Sequence, residues 1–326
     1  MGGFFAIFVV IVGPNEFISN ASQLSPARFS VMLAVNGAVT VATGIALYLI
    51  ARNVGLGFSP VESVFLNTTA ELAHNLTPFG QAGGIPVSGA ILSRRTDRPY
   101  EECLAALSAK DIVGFVPAIV IFVFGGGYLT AFDRSIPAAF RRYIAAFAVV
   151  VTLGVTVGVL VYRYQAAAFR RISRIIAWIN RIVARLPRGS SLDEQEVQAR
   201  IENFSDSVES VASDPPTVVA ASAMTTAAVT AQGILLWLTL TGVGVSITPV
   251  VTVFIIPISL LASALPLPGG SGGVEALQTI LTVAATGAPG ATVLTAVVVS
   301  RGLVYWTPIV LGSMTFITME IREQTA

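Results

Sequence analysis

Few ionisable side chains interrupt the apolar runs of this chain, and they fall in a small number of places. Glu71, His74 and Asn75 lie at i, i+3 and i+4, which puts them on one helix face. Lys110 and Asp111 stand side by side at the mouth of an apolar run. Glu275 closes a Gly-rich turn, and Arg301 sits inside the run ATVLTAVVVSRGLVYWTPIVLG. Glu71, His74, Asp111 and Glu275 are residue types that perform acid–base chemistry. Arg301 is the type that grips phosphate. Each also has a plainer reading. A lone histidine reads first as hydrogen-bonded scaffolding. Arg301 can contact a ligand, pair with Glu275 or another acid, or reach to an interface. Glu71 and Glu275 divide between proton or gating roles and simple helix capping.

The surroundings of these residues give the class. The chain is 54% hydrophobic and only 11% charged, with mean hydropathy +0.78. A soluble domain carries about 25% charged residues, so this one cannot cover a water-facing surface. The expected fold is all-α, a polytopic transmembrane helical bundle. A net charge of +1 gives no pull toward nucleic acid. A single cysteine, Cys103, excludes an internal disulfide and any cysteine-based metal cluster. No metal-ligand spacing, dinucleotide fingerprint or GxxxxGK[ST] phosphate loop occurs, so no cofactor is expected.

A span needs about 20 mostly apolar residues. The expected spans are 2–19, 30–51, 112–131, 143–162, 217–241, 247–265 and 291–318. Two more stretches, 60–93 and 266–288, are apolar but broken by Gly and Pro. In hydrocarbon such breaks survive only where protein or a water-filled cavity covers them. They are therefore expected to be re-entrant or discontinuous segments. The first contains LTPFGQAGGIP (76–86) and the second LPGGSGGVE (267–275). Paired breaks in corresponding halves point to a transporter binding site and to an inverted repeat. A helix restarting after a Gly turn also offers unpaired N–H groups to phosphate.

Arginine-rich segments 94–110 and 163–188 are expected on the cytoplasmic side. Residues 164–186 alternate apolar and arginine faces, as an interfacial anchor does. Residues 189–216 are acidic and aqueous, and Pro215-Pro216 should end any helix there. The expected organisation is one integral membrane domain, 1–326, with halves 1–163 and 217–326 joined by the connector 164–216.

The same residues carry a resemblance. The chain resembles the flippase-like integral membrane domain of lysylphosphatidylglycerol synthases over nearly its whole length. The matching landmarks are Asn75-Leu76-Thr77-Pro78 with Gly80 and Gly83, the turn Pro266-Leu267-Pro268-Gly269-Gly270 running to Gly273 and Glu275, and Arg301 with Tyr305. The resemblance implies a stand-alone membrane domain without the synthase's soluble aminoacyl-transfer region. It implies a role in moving a charged lipid, either an aminoacylated phospholipid or a polyprenyl-linked sugar, across the cell membrane. One departure stands out. Many relatives have Gly-Glu-Pro where this chain has Gly84-Ile85-Pro86, which puts substrate, coupling or activity in question.

Three functions compete. A translocase would hold lipid phosphate with the two Gly turns and Arg301. Its substrate-binding residues would be Glu71, His74, Asn75, Pro78, Gly80, Gly83, Lys110, Asp111, Pro268, Gly269, Gly270, Gly273, Glu275, Arg301 and Tyr305. Replacing Arg301 by alanine would then cut lipid movement and leave folding intact. A non-transporting scaffold would recruit a separate lipid-modifying enzyme through 189–216. A membrane enzyme is disfavoured, because the chain lacks HExxH and paired-Asp motifs. The expected partners are membrane lipids, such an enzyme, and a second copy of the chain.

Overall fold

The computed structural model describes residues 8–77, 81–131, 137–164, 194–264 and 267–325. Among these residues the chain is all-α, with no strand. The helices are α1 Pro14–Ala21, α2 Pro26–Asn53, α3 Pro60–Leu76, α4 Gln81–Thr96, α5 Tyr100–Val113, α6 Val116–Ile121 and α7 Gly127–Ala131. They continue with α8 Ala138–Arg163, α9 Glu194–Ala212, α10 Pro215–Gly242, α11 Pro249–Leu260, α12 Gly273–Thr286 and α13 Gly290–Thr325. A π turn, Phe122–Gly126, joins α6 to α7, and two 3₁₀ turns, Leu261–Ala264 and Pro268–Gly270, lead into α12.

Five stretches are long and apolar enough to cross a bilayer: Pro26–Asn53, Tyr100–Ala131, Ala138–Leu160, Pro215–Gly242 and Gly290–Thr318. Lys110 and Asp111 mark no boundary: the span expected at 112–131 begins at Tyr100. The run 247–265 forms a helix of only 12 residues. At 1.5 Å per residue that is about 18 Å, short of a hydrocarbon core of about 30 Å. Of the span expected at 2–19, residues 2–7 lie outside the described residues. The remainder breaks at Gly13, whose φ of 93° stops the helix before α1 restarts at Pro14. The anchor expected at 164–186 also lies outside the described residues, apart from Tyr164. The acidic stretch forms α9, which packs on α5. α9 stops at Ala212, just before Pro215 and Pro216, and the two prolines then open α10, where a missing N–H costs nothing.

Two apolar clusters hold the molecule together. One gathers Leu47 and Ile50 of α2, Leu66 of α3, Leu92 of α4, Leu107 of α5 and Val211 of α9. The other centres on Phe254 of α11, with Phe140 and Phe147 of α8, Leu236 of α10, Leu281 of α12 and Val293 of α13. Phe254 meets Phe147 edge-on at 5.9 Å and Phe140 at 6.3 Å, the T-shaped geometry aromatic rings favour. Helices from the two ends of the chain interleave: α2 runs along α10, and α3 runs along α13. Gly312 makes the second pairing close, because a side chain there would strike the Thr68 carbonyl.

Candidate functional site

The site begins with α3. Its N-terminus is fixed by a reciprocal cap, in which Ser59 accepts the Glu62 N–H and Glu62 accepts the Ser59 N–H. Pro60 follows at the first helical position. From that start, Asn67, Glu71 and His74 fall on one face at i, i+4 and i+7. Lys110, on α5 and only 5% exposed, points its ammonium at this face. It donates to Asn67 Oδ1 at 2.8 Å and to Glu71 Oε1 at 3.0 Å, and lies 3.7 Å from Asp111 Oδ1. All three ammonium protons thus have an acceptor or a counter-charge, which is the condition for burying a lysine. Asn67 also donates to Thr43 Oγ1 of α2 at 3.0 Å.

Two neighbours are left with capacity. His74 is buried, and its Nδ1 lies 3.7 Å from Glu71 Oε2, beyond hydrogen-bond reach. Neither ring nitrogen has a hydrogen-bond partner, and neither does Asp111 Oδ2. The ring is held by α4: a side chain at Gly84 would collide with the His74 ring and backbone. Gly84 therefore lets α4 press directly on the histidine.

The second broken segment supplies the facing charges. Gly269, Gly270 and Gly272 all have positive φ, at 60°, 67° and 94°, a conformation other residues adopt only under strain. The turn delivers Glu275 to the first turn of α12. There its Oε2 accepts the Gly272 N–H at 2.7 Å. Its own carboxylate thus occupies the positive helix end that the sequence suggested for phosphate. Glu275 is 1% exposed and its Oε1 accepts from Arg301 Nε at 3.3 Å. Arg301 Nη2 donates to the Gly269 carbonyl at 3.4 Å. This pairing qualifies the expectation that Arg301→Ala would leave folding intact. Removing the guanidinium strands a buried carboxylate, a change that costs about 3–5 kcal/mol in comparable pairs.

The two broken segments meet. Asn75 Nδ2 donates to the Tyr305 carbonyl at 3.4 Å, and the Tyr305 hydroxyl donates back to the Asn75 carbonyl at 3.5 Å. Gly269 lies against both: a Cβ there would come within 2.8 Å of Asn75 Oδ1 and of the Tyr305 ring. Beside this clasp lies a cavity of about 310 Å³. Glu71, His74, Asn75, Lys110, Asp111, Gly269, Arg301 and Tyr305 all line it.

Other expected residues stand elsewhere. Glu275 and Gly270 support the wall without lining it, and Gly273 is the first residue of α12. Pro268 belongs to the 3₁₀ turn before Gly269. Gly83 falls inside the first turn of α4, not in the break. Pro78 and Gly80 lie outside the described residues. Ile85 packs against the α2–α3–α5 apolar cluster and is not part of the cavity wall. The position where the resemblance leads one to expect an acid therefore lies off the cavity wall.

Sequence reasoning missed the neutral part of the wall: Asn36, Thr40, Thr43, Asn67, Thr225 and Gln232. Asn36 ties α2 to α13, donating to Thr307 Oγ1 at 2.7 Å and to the Leu303 carbonyl at 3.3 Å. The available signal for Asn67 was its place one turn before Glu71 on the same face.

Compared with known proteins, the chain matches a family model described as the lysylphosphatidylglycerol synthase TM region, over residues 2–312. No curated protein matches it.

Proposed function

The chain belongs to the lysylphosphatidylglycerol synthase TM-region family, and on that premise we propose that it is a non-catalytic translocase for a phosphate-bearing lipid of the cell membrane. It is an integral multi-pass membrane protein. The observation that carries the proposal is the cavity shared by Arg301 and the carboxylates of Glu71 and Asp111. Its volume, about 310 Å³, is at the low end for ligand pockets and suits a headgroup, not a whole two-chain lipid. Arg301 spends two of its five N–H donors on Glu275 and Gly269, and a lipid phosphate is the natural acceptor for others. The opposite wall offers acceptors, in Asp111 Oδ2 and His74, to hydroxyl or ammonium groups of the same headgroup. An aminoacylated phospholipid and a polyprenyl-linked sugar both carry such groups beyond the phosphate. With no ATP-binding loop in the sequence, the driving energy is a gradient or downhill movement.

The test compares the native protein with the double variant Glu275→Gln/Arg301→Gln. Removing both charges together avoids stranding one of them, and buried pairs replaced as a unit often cost little stability. Lipid extracted from the gently purified native protein should be enriched in one phosphate-bearing class, and the variant should lose it. Reconstituted into vesicles, the native protein should move a fluorescent short-chain phosphatidylglycerol across the bilayer faster than protein-free vesicles do. Lipid retained without movement would make the protein a scaffold. Unselective lipid in both proteins would remove the headgroup site.

A further inference from the structure

We propose that the cavity opens sideways into the bilayer through a portal framed by Phe115 and Leu261, and that acyl chains of the bound lipid lie in it. This rests on the headgroup reading above. Nearly all of the cavity wall is buried or half-buried. Its exposed members are Gly114, Phe115 and Leu261, with Phe115 65% and Leu261 43% exposed. Two of the three are large and apolar, although the interior behind them carries Lys110, Asp111, Glu71 and Arg301.

Depth decides what these residues face. Phe115 lies in the uncharged apolar run 112–129 of the membrane-crossing stretch Tyr100–Ala131, three residues from the start of that run. At 1.5 Å per residue a run of that length covers about 27 Å. The run thus matches a hydrocarbon core about 30 Å thick, and an opening at Phe115 looks onto acyl chains toward one end of it.

Both sides of the opening are breaks in helices. On one side α5 stops at Val113 and α6 restarts at Val116. Pro117 has no N–H to return to the Val113 carbonyl, and Gly114 presents no side chain beside Asp111. On the other side α11 ends at Leu260 and the chain tightens into the 3₁₀ turn Leu261–Ala264. The helices carrying the two breaks, α6 and α11, pack on one another. Broken backbone at membrane depth is stable only where it is covered or lines a cavity, and these two breaks line the same one. An apolar, lipid-facing rim around a charged interior fits one kind of occupant: an amphiphile with its headgroup inside and its chains outside.

The experiment places the photoreactive p-benzoyl-L-phenylalanine at Phe115, at Leu261 and, as a control, at Phe124. Phe124 is 74% exposed but is not part of the cavity wall. After illumination in native membranes, the lipid attached at each position is identified by mass spectrometry. Positions 115 and 261 should capture one phosphate-bearing class several-fold enriched over the membrane extract. Position 124 should capture bulk composition. The enrichment should vanish in the Glu275→Gln/Arg301→Gln background. Bulk composition at all three positions, with a selective lipid still retained by the purified protein, overturns the portal and leaves the headgroup site standing. Bulk composition with no selective lipid retained overturns both.

Discussion

The two charged ends of the cavity are built in opposite ways. At the α3–α5 end Lys110 is saturated, held by Asn67, Glu71 and Asp111, and the spare capacity includes acceptors, Asp111 Oδ2 and one ring nitrogen of neutral His74, whose other nitrogen donates. At the α12–α13 end Glu275 is saturated, held by Gly272 and Arg301, and the spare capacity belongs to a donor. Each end hides one charge to position the other. A buried ion pair is weak evidence for stability in itself. Here each pair does geometric work, fixing which sign of group faces the cavity.

That contrast can be broken at the Lys110 end first. Lys110→Met leaves the half-buried Glu71 and Asp111 without a counter-charge. The cost should approach, without reaching, the roughly 3–5 kcal/mol of a fully buried pair, read as a drop in thermal midpoint in detergent. The paired change Glu275→Gln/Arg301→Gln should move that midpoint far less while abolishing lipid selectivity. If both variants destabilise equally, the two ends are equivalent and the contrast fails.

A smaller effect is expected where the ends are joined. Gly269→Ala forces a side chain into positive φ and against Asn75 and Tyr305. Strain of this kind costs about 1–3 kcal/mol, and lipid retention should fall with stability. An alanine variant as stable as the native protein would show that the clasp relaxes freely. Asn36→Ala removes the donor to Thr307 and Leu303, worth about 1 kcal/mol. Its midpoint should shift slightly, with lipid class unchanged. The smallest effect on lipid should come from Ile85→Glu, which installs the acid that the family resemblance leads one to expect there. The residue packs against an apolar cluster away from the cavity, so the retained class should stay the same. A changed class would tie that position to the site after all.

The charged residues of the cavity were legible because apolar runs make them conspicuous: an ion in lipid must have a partner. Glu71, Lys110, Asp111 and Arg301 all found theirs or a place on the wall. The neutral wall was not legible. Threonines such as Thr40 and Thr43 return their hydroxyls to their own helix backbone, as threonines do in any apolar helix. Nothing local separates them from ordinary fillers. Helix limits near charges were also misread. Lys110-Asp111 looks like a span boundary, yet α5 carries both inside a longer span because Asn67 and Glu71 meet the lysine from another helix. The Gly83-Gly84 pair looked like the turn itself. Its second glycine instead serves a close helix contact, which only the packing of α4 on His74 reveals.

That contact has a practical consequence. His74 is the one histidine in the chain, and Gly84 holds its ring on the cavity wall. With a histidine-free purification tag, isotope-labelled histidine gives a single set of imidazole resonances that needs no assignment. The molecule carries its own spectroscopic label at the place where a headgroup would arrive, and every candidate lipid can be screened against it.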